Sequence, residues 1–173
     1  MTRVAEFATL RTMKISQILA LMFLLVGCTF GSQKIDRVVV LKKEHRMILY
    51  SGNTVVKSYA VALARGGLRP KEQRGDHRTP EGEYRIDSRR SASAFHRALH
   101  VSYPSEADRA RARKMGVDPG GDIMIHGIRN GLGWLGSAHR SMDWTDGCIA
   151  VTDSEIEEIW ELVGDGTTVE IRP

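Results

Sequence analysis

The runs Ile123-Met124-Ile125-His126-Gly127 and, after an intervening loop, Asp143-Trp144-Thr145-Asp146-Gly147-Cys148-Ile149-Ala150-Val151 decide how this chain reads. Each is a short apolar segment with a glycine at one end, the pattern of a buried strand meeting a tight turn. The first run delivers an imidazole to the end of its strand. The second presents a thiol where a strand begins, directly after Gly147.

A cysteine of ordinary pKa, about 8.5, is only slightly ionised at neutral pH, so a nucleophilic role needs a base or a positive charge beside it. Cys148 is the candidate nucleophile and His126 the candidate base. Each residue alone has a plainer reading, Cys148 as a small buried hydrophobe and His126 as a satisfied core histidine.

Taken together, His126-Gly127 and, 22 positions later, Cys148 within Thr145-Asp146-Gly147-Cys148-Ile149 resemble the active-site pattern of the L,D-transpeptidase (YkuD-domain) family. That pattern is His-Gly, a loop, then Ser/Thr-His-Gly-Cys and an apolar residue. Upstream, Gly75-Asp76-His77-Arg78-Thr79-Pro80-Glu81-Gly82 resembles the family's Gly-Asp-x-x-Thr-Pro-x-Gly loop, so the resemblance runs from about Asp36 to Pro173. Asp146 stands where the family usually has histidine, Ala150 where arginine or asparagine is common, and the loop between the two motifs is longer than usual. The Asp-Gly-Cys-Ile run is similar to the YafK-like subgroup.

The resemblance implies a mainly β (α+β) domain over residues 36 to 173, a YkuD-like β-sandwich with about two helices. Its cleft would lie between the loop near residues 68 to 80 and the His126-to-Cys148 segment. It further implies a cysteine acyltransferase acting on peptidoglycan stem tetrapeptides through a thioester on Cys148, with no cofactor. His126 would move the proton, the Gly127 carbonyl would orient the imidazole, and backbone N–H groups of Asp146 and Gly147 would meet the developing oxyanion. Arg129, Thr79 and Trp144 are candidate substrate contacts. A hydrolase on the same scaffold, cleaving L,D bonds or releasing a wall-attached lipoprotein, is the alternative outcome. A non-catalytic wall-binding lipoprotein is the third reading.

The N-terminal segment reads as targeting sequence. Lys14 precedes the apolar stretch Ile15 to Val26, too short to span a bilayer comfortably but suited to a signal peptide core. Leu25-Val26-Gly27-Cys28 resembles a lipobox, in which Cys28 is lipidated and becomes the mature N-terminus. The expected organisation is therefore a signal peptide over 1 to 27, with Met13 a candidate start, a lipidated N-terminus and short linker over 28 to 35, and the catalytic domain. A periplasm-facing lipoprotein of the cell envelope is expected, held by its lipid. Thr29 after Cys28 resembles the outer-membrane sorting pattern. With Cys28 lipidated, Cys148 has no disulfide partner in the chain.

At 173 residues and a formal charge of +4, the chain is one domain's worth with a mild basic excess. Removing residues 1 to 27 takes away Arg3, Arg11, Lys14 and Glu6 and lowers that charge by two. No Walker loop, dinucleotide fingerprint or aromatic-interleaved basic stripe is present, which argues against nucleic acid or nucleotide as a partner. His139 and Asp143 lie between the two motifs, but no Cys-x-x-Cys or His-Glu-x-x-His spacing supports a metal site.

Elsewhere, β-rich segments at Val38 to Leu41, Arg46 to Tyr50 and Val55 to Ala64 predict an antiparallel meander, followed by strands over Glu83 to Asp87, Arg97 to Tyr103 and Thr167 to Ile171. Ser105 and Gly116 bracket one helix. Thr152 and Glu155 form a capping box for a second, whose apolar stripe of Ile156, Ile159, Trp160 and Val163 ends near Gly164.

Overall fold

The computed structural model describes residues 34 to 173. The signal peptide, Met13, Cys28 and nearly all of the 28 to 35 linker lie outside the described residues.

The domain begins with the expected meander: β1 (Arg37–Leu41), β2 (Arg46–Ser51) and β3 (Thr54–Ala60), joined by turns at Lys42 to His45 and Gly52-Asn53. The other edge of β1 pairs in parallel with β8 (Thr168–Arg172), so the first and last strands of the described residues lie side by side in the middle of the sheet. Next to β8 lies β4 (Gly82–Ser93), followed by β5 (His96–Val101), β6 (Met124–His126) and β7 (Ile149–Ala150). The full order is β3-β2-β1-β8-β4-β5-β6-β7.

Strand β4 extends well beyond the Glu83 to Asp87 expected from its apolar alternation. Its first residues pair with β8 and its later ones with β5, so a single long strand carries the chain from one half of the sandwich to the other. The polar stretch Asp87 to Ser93 is strand because β5 supplies its hydrogen bonds, not because its own pattern asks for it. Bulges break the β4–β5 register between Ile86 and Ser88 and between Arg90 and Ser93, the usual means of bending a strand between two layers.

One core lies between these halves. Val38, Val40, Met47 and Leu49 from the first pack in the same cluster as Ile86, Leu99, Val101, Ile125 and Ile149 from the second. Ile156 and Ile159 join it from the C-terminal helix and Val163 from just past its end, each at most 1% exposed. Burying a side chain of this size contributes about 1.5–3 kcal/mol, so this cluster dominates the stability of the domain.

Among the described residues two α-helices flank the sheet, α1 (Glu106–Met115) and α2 (Asp153–Leu162). Both start on capping boxes. The Ser105 hydroxyl accepts from the Asp108 N–H while the Asp108 carboxylate accepts from the Ser105 N–H, and Thr152 and Glu155 do the same for α2. Gly116, in the left-handed conformation at φ 67°, ends α1. Helix α2 stops at Leu162, short of the glycines, because Val163 is already extended and turns its side chain into the core. A 3₁₀ segment over Gly133–Ser141, kinked at Gly136, replaces part of the loop expected between the two motifs.

The segment from Leu68 to Glu81 has no regular structure but is firmly held. Lys42, fully buried, donates to the carbonyls of Arg69 and Thr79 and to the Glu81 carboxylate at 2.8 Å. Lys71 and Asp76 form a second buried pair, also at 2.8 Å. Burial alone would raise the Asp76 carboxyl, but Lys71 and the N–H groups of Glu72 and Gln73 hold it below the usual carboxylate range.

Candidate active site

Strand β6 ends on His126, and β7 begins one residue after Cys148. The two strands are parallel neighbours with Ile125 opposite Ile149 and His126 opposite Ala150, so both motifs emerge at one end of the sheet. Ala62, just past β3, exchanges two 2.9 Å backbone hydrogen bonds with Ala150 and fixes β7 from its other side.

His126 is 3% exposed. Its ring lies 4.6 Å from that of Phe95 and 5.7 Å from that of Trp144, measured between centroids. Its Nδ1 donates to the Gly127 carbonyl at 2.6 Å. A carbonyl can only accept, so in the neutral ring Nδ1 carries the hydrogen and Nε2 keeps its lone pair.

The Gly127 carbonyl is held in place by hydrogen bonds from the N–H groups on either side of it. The Gly127 N–H donates to the Phe95 carbonyl at 3.1 Å. The next N–H, of Ile128, donates to Asp153 Oδ1 at 2.8 Å. A Cβ on Gly127 would lie 2.7 Å from that same carboxylate oxygen and 3.0 Å from Ile156. Asp153 is the first residue of α2, where a carboxylate also complements the helix dipole.

Cys148 closes the turn Thr145-Asp146-Gly147-Cys148. Buried Thr145 stitches the turn, its hydroxyl donating to the Cys148 carbonyl at 2.7 Å and accepting from the Gly147 N–H at 3.3 Å. Gly147 has φ 141°, and a Cβ there would come 2.8 Å from Ile123 Cδ1 and 3.1 Å from the Arg78 carbonyl. The glycine is thus required by what packs behind the turn. Asp146 points outward, 71% exposed, and pairs with His77 at 2.7 Å and Arg65 at 2.9 Å.

The Cys148 thiol donates to the Asp122 carbonyl at 3.5 Å. As a residue Cys148 is only half-buried, but its sulfur sits deep enough that burial pushes the thiol up to about 11. The Met124 N–H works against that shift, while the carboxylates of Asp122 and Asp146 add to it. Burial also pushes His126 down to about 4, partly offset by its bond to Gly127. The resting pair is therefore neutral thiol and neutral imidazole. For such a pair to act as nucleophile and base, the proton would have to pass during attack, since no thiolate is stored beforehand.

His126 and Cys148 open onto one cavity of about 570 Å³, with Phe95, Trp144, Arg90 and Asp122 among its walls. Of the three candidate substrate contacts, Arg129 and Trp144 line it and Thr79 does not. Thr79 is 1% exposed and offers its carbonyl to Lys42, so it braces the upstream loop instead of facing ligand. The wall expected from residues 68 to 80 is formed by the β4–β5 hairpin, Arg90 to Phe95. The upstream loop lies behind the cysteine turn, where Arg78 meets Gly147.

Three participants have weak sequence signals. Phe95 sits in a hairpin with nothing to mark it. Asp153 is legible only as an acid in a helix's first turn. Asp122, with φ 55°, contributes through its backbone. His139, 6% exposed, accepts from Trp144 Nε1 at 3.3 Å, and its own Nε2 is buried without a partner. Among the described residues no three His, Cys, Asp or Glu side chains are grouped to hold a metal ion.

The chain is similar to known proteins in sequence and in fold. The family model for the YkuD L,D-transpeptidase catalytic domain matches residues 35–171. YafK of Escherichia coli K12, whose own assignment as an L,D-transpeptidase is provisional, is 28% identical over 130 residues, covering 72% of this chain and 45% of that protein. The chain thus spans about half the length of the curated relatives it matches. The helical cell shape determining protein Pgp2 of Campylobacter jejuni superposes with a TM-score of 0.61 at 21% identity, over 80% of this chain and 47% of that one. The L,D-transpeptidase from Xylanimonas cellulosilytica gives a TM-score of 0.54 at 15% identity, over 82% and 62% respectively, a likeness of fold alone. With the family model covering nearly all of the described residues, this chain belongs to the YkuD family of L,D-transpeptidase catalytic domains.

Proposed function

We propose that this chain is a peptidoglycan L,D-transpeptidase, a cysteine acyltransferase that works through a thioester on Cys148. The observation that carries this reading is the pairing of His126 and Cys148 on one cavity, with Nδ1 of His126 committed to Gly127 and Nε2 left as the base.

The substrate is a stem tetrapeptide, and the scissile amide joins the L-centre of meso-diaminopimelate to D-alanine. Sγ forms a bond to the amide carbonyl carbon as the thiol proton passes to Nε2 of His126. The carbon–nitrogen bond then breaks, the leaving amine takes that proton, and D-alanine departs from a thioester. An acceptor amine attacks the thioester, His126 takes its proton, and the thiol is restored. Backbone N–H groups of Asp146 and Cys148 stabilise the oxyanion, an effect worth roughly a hundredfold or more per donor, while the Gly147 N–H, expected to share that role, is instead given to the Thr145 hydroxyl. Arg129 and Trp144 contact the stem. A neutral thiol and imidazole limit side reactions until substrate displaces water from the cavity.

Lipidation at Cys28 and placement in the cell envelope, facing the periplasm from the outer membrane, complete the proposal. A wall-attached lipoprotein is a second class of substrate for the same thioester chemistry, and water in place of an amine gives the hydrolase outcome. The direct test is intact-protein mass spectrometry after mixing with disaccharide tetrapeptide. An adduct of the donor minus alanine on wild type, absent from Cys148→Ala, is expected. No adduct and no product on wild type would refute the reading.

A further inference from the structure

Asp146 carries one of the two N–H groups assigned above to the oxyanion, and its side chain is anchored on other parts of the chain. Its Oδ1 accepts from Nδ1 of His77 at 2.7 Å and from Nη2 of Arg65 at 2.9 Å. The peptide unit itself is held as well, since the Arg65 N–H donates to the Thr145 carbonyl at 3.0 Å. The C=O and N–H of a trans peptide point in opposite directions, so this bond turns the Asp146 N–H away from Arg65. That N–H gives no hydrogen bond within the described residues, and Thr145 and Asp146 both line the catalytic cavity.

The two anchors come from separate stretches that one glycine lets into contact. The Gly66 N–H donates to the His77 carbonyl at 2.7 Å, and a Cβ on Gly66 would overlap the carbonyl oxygens of Asp76 and His77. His77 holds a left-handed backbone at φ 53°. The buried Lys71–Asp76 pair fixes the residue before it.

We infer that Arg65 and His77 are positioning residues: clamped on the Asp146 carboxylate, they aim the Asp146 N–H at the oxyanion formed during acyl transfer to Cys148. The inference rests on the catalytic reading above and adds two residues that act on the reaction through Asp146. The three side chains are 41% to 71% exposed, and exposed ion pairs contribute little to stability. The effect of the clamp therefore lies in orientation. A donor held slightly off its line loses part of its stabilisation, up to the roughly hundredfold of a missing donor.

The test measures acylation of Cys148 by disaccharide tetrapeptide under single-turnover conditions, alongside alkylation of the same thiol by iodoacetamide and thermal melts. Alkylation at a saturated carbon forms no oxyanion, so it reports thiol access and an intact turn without the donor. His77→Gly keeps the left-handed backbone and removes the imidazole. Arg65→Ala removes the guanidinium and keeps the N–H bound to Thr145. Each is expected to slow acylation about tenfold, and the double variant to approach about a hundredfold. The half-saturating substrate concentration, the alkylation rate and the melting temperature are expected to stay near wild type. His77→Asn should recover most of the loss, because its amide nitrogen takes the place of Nδ1 and asparagine accepts a left-handed backbone.

Acylation at the wild-type rate in the double variant would overturn the clamp and leave the catalytic reading standing. So would acylation and alkylation falling together, which would make these contacts a support for the whole turn, or a His77→Asn variant no faster than His77→Gly. Acylation of neither wild type nor any variant would overturn the catalytic reading and this inference with it.

Discussion

Asp153 Oδ1 lies 2.7 Å from where a Cβ on Gly127 would stand, and it accepts the Ile128 N–H at 2.8 Å. Through this contact, helix α2 fixes the carbonyl that orients the His126 ring. The glycine after the histidine is thus a packing requirement that also serves the chemistry.

Gly127→Ala is therefore expected to force Asp153 or Ile156 aside, at a cost of about 1–3 kcal/mol. Thermal melts measure that loss. Turnover should fall further than stability predicts, because the displaced carbonyl no longer holds Nδ1. Asp153→Asn keeps an acceptor for Ile128 and should lose less of both.

Gly147→Ala tests the second turn. Its Cβ would strike Ile123 at 2.8 Å and the Arg78 carbonyl at 3.1 Å, with φ at 141° adding strain. A destabilisation of about 1–3 kcal/mol is expected, and adding Ile123→Val should recover only the side-chain part of it. Full recovery in the double variant would show that the backbone contact is unimportant.

The pH dependence follows from two opposite shifts. His126 falls from 6.5 to about 4 on folding. Between those values the unfolded chain binds a proton that the folded one does not, so stability drops as pH falls through that window. Cys148 rises from 9.0 to about 11, so above pH 9 the unfolded chain loses a proton that the folded one keeps. Stability then drops as pH rises toward 11. Melting temperatures from pH 4 to 11 should show both limbs, with the alkaline decline shallower in Cys148→Ala. Alkylation of Cys148 by iodoacetamide at pH 8 should be roughly a hundredfold slower than for free cysteine.

The buried Lys71–Asp76 pair makes the upstream motif a structural brace. Asp76 accepts from the N–H groups of Glu72, Gln73 and Arg78 as well as from Lys71. Removing one partner of a buried pair costs about 3–5 kcal/mol, so Asp76→Ala should melt markedly lower than wild type. Limited proteolysis should then cut between Glu72 and Arg78 first.

What the sequence made legible is what local chemistry dictates. Ser105, Thr152 and Glu155 announce their helices through capping, and the short apolar runs of β1 and β2, separated by polar turn residues, announce a meander. His126 stands out because it ends an apolar run before a glycine, and Cys148 because it opens one after a glycine. The later half of β4 was hidden, since Arg89, Arg90 and Ser91 have no apolar alternation and owe their conformation to β5. Phe95 was hidden for the same reason, its place against His126 depending on a hairpin closed by a distant strand. Thr79 misled because motif position says nothing about which way a side chain faces.

The most direct measurement of the central claim is to incubate the domain from Thr29 onward with disaccharide tetrapeptide and with crosslinked muropeptides, then read the products by mass spectrometry. The account predicts new crosslinked or amino-acid-exchanged muropeptides with wild type and none with Cys148→Ala or His126→Ala. Trimmed or separated muropeptides alone would make the enzyme a hydrolase and contradict transfer to an amine. Products that survive in Cys148→Ala, or no change with wild type, would contradict thioester catalysis at Cys148.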